Sequence, residues 1–120
     1  MNQKNVFSVI AVLLVLQGLF FLIMGDKVVT DTFPGTDETG HHALIILMQV
    51  PAALLILIGI IMYANRTTPN IAWAFTLGFA ILVGVTYKHL LVDHVKVPML
   101  ALVLQTLILI ACGFLWSQKK

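Results

Sequence analysis

The fold class predicted by this sequence is all-α: an integral membrane, antiparallel four-helix bundle with both termini in the cytoplasm. Three observations predict it. The 120 residues are 60% hydrophobic and only 10% charged, against roughly 45–50% and 25% in a soluble domain. The apolar residues fall into four long segments, 6–24, 43–64, 71–92 and 98–116, each able to cross a hydrocarbon layer about 30 Å thick as a helix. The segments are joined by polar stretches, most of them short, which make sequential helices antiparallel neighbours in a single transmembrane domain covering 1–120.

The first segment, 6–24, follows Met1–Lys4 and is too long for the core of a signal peptide. No A-x-A-like site follows it, so it reads as a retained helix. It stops at Gly25-Asp26-Lys27. The outer loop, 26–42, carries the turn signal Phe33-Pro34-Gly35-Thr36-Asp37. The second segment contains Pro51, which removes a backbone donor and should bend its helix. A polar turn over 65–70 follows, with Asn70 placed to cap the third helix. Pro98 stands at the expected first position of the fourth.

Four crossings put both termini and the 65–70 turn on one side. That side holds Lys4, Arg66, Lys119 and Lys120, against Lys27, Lys88 and Lys96 opposite. The positive-inside rule makes the termini side cytoplasmic, as expected of a multi-pass protein of a bacterial inner membrane. Tyr63, Trp73 and Trp116 fall at that side as an interfacial aromatic belt would.

The other polar residues are distributed one-sidedly. Asp26, Asp31, Asp37, Glu38 and Asp93, together with His41, His42, His89 and His94, all lie opposite the termini. His89 and Asp93 are four apart, a spacing that puts both on one helix face, as a metal site would require. Imidazole and carboxylate suit zinc or copper, and Met24, Met48 and Met99 in the same half would favour Cu(I). His41, His42, His89, Asp93 and His94 are therefore the candidate metal ligands. The plainer reading is interfacial polarity, with histidines meeting lipid headgroups or nearby carboxylates.

Deeper in the apolar segments, Gln17, Gln49 and Gln105 each lie seven residues from the outer end of their helix. At 1.5 Å per residue they share a depth of about 10 Å. Unpaired amides are costly in lipid, so the three are expected to face one another. They would either fix register by interhelical hydrogen bonds or form the floor of a pocket for a small ligand, a quinone or haem. Haem would be held by His42 and His89. Ala72, Thr76, Ala80 and Gly84 recur every four residues as a close-packing stripe, and Ala11, Gly18 and Gly25 recur every seven as a matching face.

The same sequence limits the chemistry available. No carboxylate or cation lies deep in a segment, which argues against proton-coupled transport. No nucleophile–base pair is apparent, and Cys112, the one cysteine, cannot form an internal disulfide. No basic run suggests nucleic acid. The reading favoured by the sequence is a non-catalytic accessory or structural subunit, acting in the lipid bilayer as a homo-oligomer or beside other membrane subunits. Metal binding at the outer face is the alternative, and small-ligand binding in the outer half a further one.

Overall fold

The computed structural model describes residues 2–92 and 99–118. It is helical, with α1 Gln3–Ile23, α2 Gly25–Thr32, α3 Glu38–Ala64, α4 Ala72–Leu91 and α5 Met99–Gln118. Four of these, α1, α3, α4 and α5, are long and apolar enough to cross a membrane. The chain divides into two compact units, Phe7–Ala64 and Met1–Val6 with Asn65–Lys120.

Apolar residues occupy nearly every position of the four long helices, so periodicity alone cannot choose their buried faces. Residue size makes the choice instead. In the Phe7–Ala64 unit, a Cβ added to Gly18 would lie 2.6 Å from the Ala52 carbonyl oxygen, and one added to Gly59 would lie 2.9 Å from that of Ala11. A Cβ on Gly25 would sit 3.9 Å from Ile45. The three contacts step by seven residues along α1 and onto the first residue of α2 while stepping back by seven along α3. This is the signature of two nearly antiparallel helices meeting along a heptad seam. Ala11, Gly18 and Gly25 thus form a packing face as their spacing predicts. Their partner in this unit is Ile45, Ala52 and Gly59 of α3.

The expected stripe on the third apolar helix rotates off its buried face. Ala72 is buried and Thr76 half-buried, but Ala80 and Gly84 are exposed, and the buried line runs instead through Ala72, Phe79 and Val83. Four residues advance a helix by about 400°, so an every-fourth stripe turns about 40° per step and leaves a straight contact after two or three repeats. In the second unit α4 packs antiparallel on α5. A Cβ added to Gly113 would lie 3.9 Å from the methyl of Thr76, and Thr86 meets Gln105 at 3.5 Å.

The outer loop contains more structure than its polarity suggests. Residues 25–32 form α2, with Val28 and Val29 buried and Asp26, Lys27 and Asp31 exposed. Apolar burial outweighs the weak helix propensity of its valines and threonines. α2 packs on α3. The predicted turn follows, with Gly35 at φ +83° and the Thr36 hydroxyl donating to the Phe33 carbonyl at 2.7 Å.

α3 begins at Glu38, five residues before the apolar segment. Asp37 caps it: its Oδ1 accepts the Gly40 amide at 2.7 Å, and its carbonyl accepts that of His41 at 2.8 Å. A side chain at Gly40 would collide with this cap, 2.9 Å from Asp37 Oδ1 and 2.7 Å from Thr36. Asp37→Ala should cost about 1 kcal/mol. Hydrogen exchange would read this as faster loss of protection in the first turn of α3 than in its middle. The helix then runs through Pro51 without interruption.

At the other end, Asn70 does not cap the third apolar helix. It takes φ +57°, and Ile71 occupies the cap position without a side-chain hydrogen bond. Asparagine tolerates this left-handed conformation better than most residues, and here that tolerance is what the turn uses. Gln3 reaches into the same turn, donating from Nε2 to the carbonyls of Thr68 at 2.7 Å and Arg66 at 3.3 Å. This clamp ties the N-terminal end of α1 to the turn.

Candidate functional site

The expected metal ligands fall on different elements of the chain. His41 and His42 sit in the first turns of α3, and His89 on the last turns of α4. His89 is exposed and takes part in an interaction of its own. Asp93 and His94, the other two expected ligands, lie outside the described residues. No group of three histidine, cysteine or acidic side chains converges as a metal site would require among the described residues.

One pair does form. The Nε2 atom of His41 contacts Oδ1 of Asp26, which joins the start of α2 to the start of α3. The carboxylate is 81% exposed, while the imidazole is only 25% exposed. Screening by solvent limits such a pair to about 1 kcal/mol or less. His42, the next residue, points to an exposed surface. The sequence could have suggested the pair only through the short span of the outer loop.

The three glutamines occupy three different environments. Both polar atoms of the Gln17 side chain are sealed from solvent and have no hydrogen-bond partner. Gln49, in the same unit, is exposed, so these two do not bond to each other. Gln105 is half-buried in the second unit, where it meets Thr86 at 3.5 Å. The Thr86 hydroxyl has a single proton, and its shorter bond is to the Leu82 carbonyl at 2.8 Å. The contact is therefore best made by a Gln105 amide N–H donating to the Thr86 hydroxyl oxygen. Thr76 and Thr106 bond back in the same way, to Ala72 and Leu102, each at 2.8 Å. Such bonds satisfy a hydroxyl within its own helix.

Equal depth placed the glutamines on one level, but rotation about each helix axis decides which way a side chain faces. Gln17 lies beside the α1 seam formed by Ala11 and Gly18; the residue is half-buried, and its amide end is sealed. On α3, Gln49 falls outside the line of Ile45, Ala52 and Gly59 that packs on α1. Cys112 is buried in α5 as a small apolar side chain would be. Comparison of the chain with protein-family models, with curated proteins and with solved structures finds no match.

Proposed function

We propose that this chain is a small multi-pass membrane protein acting as a non-catalytic accessory subunit, held in a membrane complex by helix packing. Its termini would lie in the cytoplasm of a bacterial cell, with the acid- and histidine-bearing ends of the helices outside. Large apolar side chains stand exposed along every long helix, among them Leu47 at 67%, Ile81 at 70% and Leu100 at 80%. No polar or charged residue is fully buried among those described. Water would penalise that arrangement and lipid would not.

The observation that carries the subunit reading is the surface of α4. A Cβ built on Gly84 meets nothing within 4 Å, and Ala80, one turn before it on the same side of the helix, is also exposed. Small residues in a membrane helix let another backbone approach closely, and on this face no part of the described chain does so. The partner would be a helix of another membrane subunit.

Gly84→Leu separates the two roles of the residue. Inside the chain the larger side chain meets open space, and the change removes a helix-interior glycine, so the folded chain should be as stable as before or more stable by up to about 1 kcal/mol. The complex should lose its partner. Native mass spectrometry of gently solubilised membranes would show a larger assembly for the natural sequence and the chain without that partner for Gly84→Leu. An assembly of unchanged mass would overturn the role given to α4.

A further inference from the structure

Accepting that the long helices cross a membrane, we infer that one exposed face of α3 is a self-association surface, with Gln49 where two copies of this chain meet. Gln49 is exposed and has no hydrogen-bond partner among the described residues. It lies seven residues below His42, where the polar start of α3 ends, and so about 10 Å into the apolar region. A carboxamide at that depth is too short to snorkel to the interface as lysine and arginine do. Lipid offers it neither a donor nor an acceptor.

The rest of the same face fits a helix as the covering surface. His42, Ile46, Gln49, Ala53, Leu57, Ile60 and Ala64 are all exposed and follow steps of four and three residues. They form a stripe down the whole helix, distinct from the Ile45, Ala52 and Gly59 line that packs on α1. Ala53, one turn below Gln49, leaves room for close approach. Further round the helix, Leu47, Val50, Leu54 and Ile61 are large, apolar and exposed, which is the character expected of a lipid-facing surface.

The occupant follows from hydrogen-bond chemistry. Two copies with the same orientation in a membrane are related by a two-fold axis along its normal, so a residue beside the axis meets its own equivalent at the same depth. A side chain there must be complementary to itself. A carboxamide has both a donor and an acceptor, and two of them can exchange N–H···O bonds reciprocally. A carboxylate or an ammonium in that place would repel its copy.

The test uses the full chain in native membranes, with Cys112→Ala removing the natural thiol. Single cysteines at Ile46, Ala53 and Ile60 sample the stripe, and those at Leu47, Leu54 and Ile61 sample the lipid-facing side. Oxidation should give disulfide-linked products of twice the chain mass from the stripe positions and little from the others. In parallel, energy transfer between labelled copies should show the dissociation constant rising about tenfold or more for Gln49→Leu. Gln49→Asn, which keeps a carboxamide, should retain most of the association and shows that loss in the leucine variant is not misfolding. Uniform cross-linking on both sides, products of another mass, or an unchanged dissociation constant for Gln49→Leu would overturn the inference. Alkaline extraction separates the two levels of failure. A chain that washes out is not membrane-spanning, whereas a retained chain without dimers refutes self-association alone.

Discussion

Gly18→Leu should be the most damaging single substitution in the described chain, lowering the stability of the Phe7–Ala64 unit by about 3 kcal/mol or more. Even the first added carbon would lie 2.6 Å from the Ala52 carbonyl oxygen and 2.6 Å from the Ile56 side chain. Ile56 could rotate away, but the Ala52 oxygen is backbone within a continuous helix and cannot yield without moving α3. Gly18→Ala should therefore also destabilise, although exchanging a helix-interior glycine for alanine is otherwise worth about 1 kcal/mol in its favour. Gly59→Ala should behave similarly, since its Cβ would meet the Ala11 oxygen at 2.9 Å and Val15 at 2.9 Å. Gly78→Leu, facing open space, is the control. Denaturant titration in mixed micelles, followed by circular dichroism, would rank them. Equal midpoints for Gly18→Leu and Gly78→Leu would show that α1 and α3 do not meet along the Gly18–Ala52 seam.

That seam marks how far the sequence could be read. Ala11, Gly18 and Gly25 announce a close-packed face by spacing alone, because a heptad of small residues serves little purpose against lipid. The partner is harder to see. Ile45, Ala52 and Gly59 share the spacing, but Ile45 is large and does not announce a close-packed face. Small size alternates between the two helices, so neither partner shows the whole pattern. The every-fourth stripe from Ala72 to Gly84 looks more regular, yet helix rotation carries its later members away from the buried line.

The segment over 25–32 is hard to read for a different reason. Residues 25–32 carry two acids, a lysine, two threonines and two adjacent valines, a composition that favours no helix by propensity. α2 forms because Val28 and Val29 can be buried while His41 holds Asp26, and neither condition is local in sequence. The Asp37 cap, by contrast, was available to a reading of helix-start signals. It was hidden by defining the helix from its apolar residues, which begin five positions later. The glutamines show the remaining limit. Depth follows from counting residues, but facing depends on which sides of two apolar helices meet, and packing of small against large decides that.

Gln17 gives that limit a measurable consequence. Its amide nitrogen and oxygen are both sealed within the structure without a hydrogen-bond partner. Burial of such a group costs about 1–3 kcal/mol when the bonds it made elsewhere are not replaced. Methionine has nearly the same length and shape and carries no such requirement. Gln17→Met should consequently stabilise the chain by about 1–2 kcal/mol, whereas Gln17→Glu, which brings a charge to the same place, should destabilise it by more than the methionine gains. The sign is the informative part. A carboxamide that fixed register through interhelical bonds would make Gln17→Met a loss, as replacing one partner leaves the other orphaned. A rise in the denaturation midpoint for methionine, and a fall for glutamate that is relieved at low pH, would establish Gln17 as a group the fold tolerates at a cost. The contrast with Gln105, which does have Thr86 beside it, provides the internal comparison. Gln105→Met should therefore destabilise where Gln17→Met stabilises.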